Sequence, residues 1–317
     1  MKVQRAAKRS HHGGFASLNQ SSEVVEKPIL EISVIIPVYN EQDSILSTIE
    51  AVNKVFSSST STFELILVND GSTDNSSEIL KEAQRLYPHL SIFQHEENLG
   101  YGAALKTGIA QSSYDRILIL DADQTYPIHE IPKLLECSQE SDMVVGSREG
   151  SEARIPPIRK PAKVILAWLA EFLSNRHIPD LNSGFRIFKK EIARNWIHMF
   201  PDGFSFTSTL TIIALHKGYS INYIPIGYFK RQGRSKIKPF RDTLNFLQLI
   251  IRTILYVNPL RIFIPASLFF FAISLTLFFI RVTFSRSFMV TIIITFVCGF
   301  ELLVLGMLAD LIDKRLR

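Results

Sequence analysis

From Glu31 onward, short apolar runs rich in β-branched residues alternate with stretches whose apolar positions recur every three or four residues. Strands alternating with helices in this way build an α/β domain around a mainly parallel sheet, because each parallel crossover needs a helix to return the chain. ISVIIPV, Ile32 to Val38, predicts a buried strand, and Ile45, Leu46, Ile49, Val52 and Phe56 predict the helix after it. Phe63 to Val68 predicts a second strand. The turn formers of NDGSTD follow, with Thr73 or Asp74 as helix N-cap and Ile79, Leu80, Ala83 and Leu86 as the buried face. A third strand is expected near Ser91 to Gln94, a helix from Gly100 to Gln111, a central strand at Arg116 to Leu120 and another at Asp142 to Ser147. No repeat of fixed period is visible.

Beyond Ser147 the alternation breaks. The Pro- and Arg-rich passage IPPIRKP precedes a helix expected over Ala162 to Leu173, whose Ile165, Leu166, Leu169, Phe172 and Leu173 suit either a core or a membrane surface. Residues 262–280 then form 19 consecutive positions without a charge, and residues 287–309 form 23 with Glu301 as the only charge. A hydrocarbon core takes ~20 residues to cross, so two membrane spans are expected in preference to buried core helices. Glu301 is costly in hydrocarbon unless paired, protonated or near an interface. It reads either as functional or as a contact between helices or copies of the chain, so a homo-oligomer is among the expected partnerships.

The chain thus divides into a disordered basic tail (1–30), an α/β domain (31–230), a basic loop with a juxtamembrane amphipathic helix (231–260), and two spans with a short tail (261–317). Its 317 residues are 46% apolar and 21% charged, enough for a sizeable core and too apolar for a disordered chain. A formal charge of +5 is small, but residues 231–317 carry 12 Lys or Arg against 4 Asp or Glu. This excess adjoins the apolar stretches, so it points to a membrane surface, and nucleic acid is not expected as a partner. Basic residues are densest just before the first span, which puts the α/β domain and both termini in the cytoplasm. The N-terminal tail has no apolar run to serve as a signal-peptide core, and its His11 and His12 are given no role. Cys137 and Cys298 form no CxxC pair and read as packing residues. His95, His129, His198 and His216 show no metal spacing, and Gly100-Tyr101-Gly102 lacks the third glycine of a dinucleotide fingerprint, since position 105 is Leu105.

The chemistry concentrates at strand ends. Asp121-Ala122-Asp123 follows the strand RILIL, Val38-Tyr39-Asn40-Glu41 ends the first strand, and Asn69-Asp70-Gly71-Ser72 ends the second. Ligands of open α/β sheets bind at the carboxyl ends of strands, and two carboxylates one residue apart can share a hard divalent cation and a ribose hydroxyl. That combination suits a nucleotide diphosphate. An Asp-x-Asp triplet alone is as readily a turn cap, so the weight rests on the convergence of three strand ends.

SVIIPVYNE, VNDGSTD, the DAD triplet, VVGSR and LNSGFRIF, in this order, resemble the family 2 glycosyltransferases of the GT-A fold, and with two C-terminal spans the chain looks like their polyprenyl-phosphate branch, dolichol-phosphate mannosyltransferases included. The resemblance implies a Rossmann-like GT-A domain, interfacial helices and a transmembrane hairpin. It also implies transfer of one sugar from a UDP- or GDP-sugar to a polyprenyl phosphate at the cytoplasmic membrane face, with Mg²⁺ or Mn²⁺ as cofactor. Residue by residue, it gives Pro37, Tyr39 and Glu41 to the nucleotide pocket, Asp70 to the base, Asp121 to the ribose and the metal, and Asp123 to the metal. Mannosyltransferase-like members often read DADLQ where this chain reads DADQT, so Thr125 or water would complete the metal shell, or the metal would be held less tightly.

Arg148 sits where a guanidinium can fork onto a phosphate, with an ion pair as its other reading. Arg159 and Lys163 fall at a helix start expected to meet the acceptor phosphate, Lys163 replacing the family's hydroxyl residue. Asp180 opens the acceptor-side motif and is placed near the reacting centre. Arg231, Ser235 and Lys236 belong to a Gly-hinged basic loop that resembles the one closing on the donor diphosphate, and that reads equally as a patch for anionic lipid. Two rival functions remain: a membrane transferase acting on a glycan or another lipid, and a catalytically silent scaffold of the same fold. The QxxRW signature of processive synthases is absent.

Overall fold

The computed structural model describes residues 30–59, 61–148, 177–203, 205–229, 255, 258–284 and 289–316. The basic tail, the helix expected over Ala162 to Leu173, and Arg159, Lys163, Arg231, Ser235 and Lys236 lie outside the described residues.

Seven strands form one sheet: β1 (Glu31–Val38), β2 (Thr62–Asp70), β3 (Leu90–His95), β4 (Arg116–Ile119), β5 (Met143–Arg148), β6 (Arg186–Lys189) and β7 (Ile221–Ile226), in the spatial order β3-β2-β1-β4-β6-β5-β7. The pairs β1–β2, β2–β3, β1–β4 and β5–β7 are parallel. β6 alone runs antiparallel, wedged between β4 and β5. The helices are α1 (Ile45–Ser57), α2 (Ser76–Leu86), α3 (Tyr101–Gln111), α4 (Ile131–Ser138), the single turn α5 (Lys190–Arg194), α6 (Phe206–His216), and the long α7 (Leu260–Phe284) and α8 (Met289–Leu316).

Alternation along β1 explains the layers. Ile32, Val34, Ile36 and Val38 face one side, packing with Ile45, Ile49, Val52 and Phe56 of α1 and Leu80 and Ala83 of α2. Ile35 faces the other, with Leu105 and Ile109 of α3 and Phe206 and Leu210 of α6. The expected helical faces are borne out except at their rims, where Leu46 is 41% and Leu86 70% exposed. α2 begins at Ser76, with the Asp74 carboxylate accepting the Ser76 N–H at 3.0 Å. Two strands were not expected, β6 and β7: each is short, and RIFK follows a loop motif that masks its alternation.

α7 and α8 pack as a hairpin. The Ser267 hydroxyl donates to the Gly299 carbonyl at 2.7 Å and Ser274 to the Ile292 carbonyl at 3.0 Å. A Cβ at Gly306 would lie 2.5 Å from that of Phe263, so glycine sets how closely the helices approach. The apolar segments Leu260–Val282 and Met289–Ile312, of mean hydropathy 2.3 and 2.4, are each long enough to span a bilayer. α8 continues to Leu316, beyond the expected end at 309. Glu301 is exposed on it.

Candidate active site

Because β1, β2, β4, β5 and β7 share one direction, their carboxyl ends open on one edge of the sheet. Antiparallel β6 starts at that edge, so Asp180 to Phe185 enters it from the other direction.

The loops after β1 and β2 are knitted together. Asn40 adopts φ 53°, a left-handed conformation that asparagine tolerates, and Gly71 adopts φ 66°. From there the Asn40 side-chain oxygen accepts the Thr73 N–H at 2.7 Å, while its own N–H donates to the Ser72 hydroxyl at 3.0 Å. The Glu41 N–H donates to the Ser76 hydroxyl at 3.0 Å. Tyr39 and Glu41 stand half-buried at this rim, whereas Pro37 is within β1, opposite Val68. Asp70, the last residue of β2, is buried: its carboxylate accepts the N–H groups of Leu99 and Gly100 at 3.0 and 2.8 Å and meets His95 Nδ1 at 2.7 Å. Asp70 thus fastens the 95–100 loop, which positions the start of α3.

Three elements fix the Asp121-Ala122-Asp123 loop. From α1, the buried Thr48 hydroxyl donates to the Ala122 carbonyl at 3.0 Å. From α3, the Tyr101 hydroxyl donates to Asp121 Oδ1 at 2.9 Å. Burial, and then the Asp121 charge, raise the Tyr101 pKa well above its ordinary value, so it stays a neutral donor. The third support is local, with Asp123 Oδ1 accepting the Thr125 N–H at 3.2 Å and the Thr125 hydroxyl at 2.7 Å. Gln124, at φ 56°, turns its amide to the Ser47 hydroxyl. The amide that the sequence placed one position early for a metal therefore points to α1, and it is Thr125 that touches Asp123. A Cβ on Gly184 would sit 2.9 Å from both Asp121 oxygens and 3.0 Å from the Tyr101 hydroxyl. Glycine keeps the space before the Asp121 carboxylate open, and the Gly184 N–H is held by the Tyr126 hydroxyl at 2.8 Å. Two carboxylates of hard oxygen donors with a cleared approach fit a divalent cation such as Mg²⁺ or Mn²⁺. A cleft of about 730 Å³ opens beside Asp123, bounded by Lys54, Gln124, Tyr126, His129 and Phe229.

Across the edge, Arg148 and Asp180 form a two-pronged pair, Nε to Oδ2 at 2.6 Å and a terminal nitrogen to Oδ1 at 2.8 Å. The carboxylate also accepts the N–H groups of Arg148 and Asn182 at 3.2 and 3.1 Å. Burial alone would raise the Asp180 pKa, but the Arg148 fork and these N–H bonds outweigh it and hold the group below the usual carboxylate value. Arg148 is raised in turn and lies 5.3 Å from the centroid of the Tyr228 ring. The sequence offered Arg148 a phosphate or a carboxylate; in this state it holds the carboxylate of the other candidate. Arg186 is fully buried beneath them, donating to the Ser183 and Thr207 carbonyls at 2.8 and 2.9 Å and to the Thr211 hydroxyl at 2.8 Å. It braces the turn that presents Gly184.

The structure therefore brings Asp121, Asp123, Arg148 and Asp180 to one edge, with Tyr39, Glu41 and Asp70 on the neighbouring strand ends. Sequence reasoning missed Asn40, Thr48, Tyr101, Gly184 and Arg186 as supports. Tyr101 sits inside the glycine motif examined for a dinucleotide fingerprint, and those glycines serve packing: a Cβ on Gly102 would meet the Pro201 carbonyl at 2.1 Å.

The chain is similar to known proteins in sequence and in fold. Over 175 residues the chain is 31% identical to an undecaprenyl-phosphate 4-deoxy-4-formamido-L-arabinose transferase of Yersinia pestis, and equally to that of Yersinia pseudotuberculosis. The match covers 55% of this chain and 53% of each relative, so the chain matches about half the length of these relatives. Glucosyl-3-phosphoglycerate synthase of Mycobacterium tuberculosis, solved with UDP, superposes with a TM-score of 0.56 at 18% identity over 71% of this chain and 80% of that one. S. aureus TarS 1–349 gives 0.51 at 21% identity over 72% and 66%. At such identities these structures establish a shared fold. The family model for glycosyl transferase family 2 matches residues 33–197, from β1 through the strand-end carboxylates to β6, and the chain belongs to that family.

Proposed function

We propose that this chain is a membrane-bound, inverting glycosyltransferase that moves one sugar from a nucleotide diphosphate sugar to a polyprenyl phosphate at the cytoplasmic face. The carrying observation is the pairing of a carboxylate-rich, Gly184-cleared donor edge with an Arg148–Asp180 acceptor side in a chain that ends in an apolar hairpin. The relatives named as undecaprenyl-phosphate transferases support this acceptor, and a synthase structure holding Mn²⁺ and UDP supports the donor and metal.

In this reading Asp121 and Asp123 hold the divalent cation, which when bound neutralises charge on the departing nucleotide diphosphate. Asp121 also reaches the ribose, Tyr39, Glu41 and Pro37 shape the nucleotide pocket, and Asp70 sets the base side. An acceptor phosphate monoester has its second pKa near 6, so at neutral pH it arrives as an oxyanion and needs no strong base. Arg148, together with Arg159 and Lys163, orients that phosphate. One of its oxygens attacks the anomeric carbon as the bond from that carbon to the diphosphate breaks, inverting the centre. Asp180 holds Arg148 in place until the phosphate takes over part of its fork. The basic loop with Arg231, Ser235 and Lys236 closes on the leaving diphosphate. The division at residues 31–230, 231–260 and 261–317 follows these roles.

The test is detergent-purified full chain with Mg²⁺ or Mn²⁺, a polyprenyl phosphate and a panel of UDP- and GDP-sugars, with lipid products read by mass spectrometry. A lipid-phosphate sugar from one donor is expected. Donor hydrolysis without lipid product would move the acceptor to a glycan or other lipid, and absence of donor binding would make the chain a silent scaffold.

A further inference from the structure

Within the 24-residue apolar segment Met289–Ile312, Glu301 is 12 positions from one end and 11 from the other. At about 1.5 Å per residue that is about 18 and 17 Å, close to the middle of a bilayer and beyond the reach of a short side chain to either surface. Its direction follows from its neighbours. Gly299 and Gly306 face α7, one against Phe271 and the other against Phe263. At about 100° per residue Glu301 lies roughly 200° from the first and 140° from the second, on the face turned away from the hairpin partner. It is exposed there, with no hydrogen bond or ion pair among the described residues. Ile294, Val297, Leu305 and Leu308 share this face at three- and four-residue spacing and are all exposed.

We propose that this stripe is an interface between copies of the chain, with Glu301 at its centre. A carboxyl group in hydrocarbon needs a hydrogen-bond partner at its own depth. The described residues of the hairpin offer none: Ser267, near that level, is buried and spends its hydroxyl on the Gly299 carbonyl, while Thr295, about 9 Å away along the helix, bonds the Thr291 carbonyl of its own helix. A second copy inserted the same way presents its Glu301 at the matching depth. A two-fold contact then sets carboxyl against carboxyl, each able to donate and accept. The apolar stripe closes around the pair by side-chain packing. This inference rests on the two spans and is independent of the transferase reading.

The experiment uses full-length protein in phosphatidylcholine vesicles, with Cys137→Ser and Cys298→Ser as background and a single reporter cysteine. Oxidative cross-linking is compared for Leu305→Cys, on the stripe, and Phe269→Cys, exposed on α7. Mass is measured by light scattering in mild detergent. Leu305→Cys is expected to cross-link at least ten-fold faster than Phe269→Cys. Glu301→Leu should abolish that difference and leave a monomer, whereas Glu301→Gln, whose amide also donates and accepts, should retain the oligomer. A wild-type monomer in mild detergent, equal cross-linking at the two reporters, or an unchanged oligomer in Glu301→Leu would overturn the proposal. The reporter comparison keeps Glu301, so it decides the matter even if the leucine variant does not fold.

Discussion

Adding one methyl group at Gly184 is the sharpest probe of the proposed donor edge. The new Cβ would stand 2.9 Å from both Asp121 oxygens and 3.0 Å from the Tyr101 hydroxyl, inside van der Waals contact with all three. The backbone at this point is tied to the Tyr126 hydroxyl and braced by Arg186 through the neighbouring Ser183 carbonyl, so the carboxylate is the part that yields. Turning it off its rotamer costs about 0.5–1.5 kcal/mol. Weakening the hydrogen bond from Tyr101 adds a similar amount. A total of about 1–3 kcal/mol corresponds to a drop of roughly 2–12 °C in Tm for a domain of this size. Function should suffer far more: a reacting group misplaced by about 1 Å can lose about 100-fold in rate. Gly184→Ala should therefore stay folded, lose Mn²⁺-dependent donor affinity in calorimetry, and turn over about two orders of magnitude more slowly. Wild-type donor affinity and turnover at a lowered Tm would refute the reasoning, because the methyl group would then have been absorbed without moving Asp121.

Other tests follow from the same geometry. Thr48→Val should lower stability by about 1–3 kcal/mol by leaving the Ala122 carbonyl buried without its donor, and urea unfolding with a parallel turnover assay would register both effects. The Asp180 carboxyl is held below its unfolded value near 3.9, so its contribution to stability is complete above that pH and lost as pH falls through the folded value. Tm measured from pH 6 to pH 3 should fall less steeply in Asp180→Asn than in wild type, from a lower starting point; parallel curves would count against the pair. Chelation should abolish turnover and Mn²⁺ should restore it, whereas Asp123→Asn should need far more metal for the same rate; indifference to metal in both would remove the cation from the mechanism.

What the sequence reveals and what it hides divide along physical lines. Strands buried on both faces and helices with one apolar side carry strong periodic signals, which is why β1, β2, β4, β5 and α1 to α3 were legible. β6 is four residues long and begins with a buried arginine, so no periodicity distinguishes it. The clustering of carboxylates was legible because three strand ends of one parallel sheet each carry acidic residues, although one Asp at a strand end is as readily a cap. Their supports were not: Thr48 reads as a helix residue, Tyr101 as part of a glycine motif, and Gly184 as a turn, until long-range folding sets them against Asp121 and Ala122. The bond between Arg148 and Asp180 spans 32 positions, and no local pattern predicts it.

The placement of β6 also bears on how the molecule comes into being. β4 and β5 precede it in the chain, yet neither touches the other in the sheet; both hydrogen-bond to β6. Until Arg186 to Lys189 leaves the ribosome, each of them exposes a bare edge, the kind of surface that recruits other strands. The carboxylate half that ends in Asp123 and the half that carries Arg148 are joined only when this strand slides between them. Joining of the two halves therefore waits for contacts distant in sequence, and β7, made later still, completes the sheet. A nascent chain cut short before β6 would hold a four-stranded half-sheet and an unpaired β5, and the hairpin that follows emerges only after all seven strands have been made.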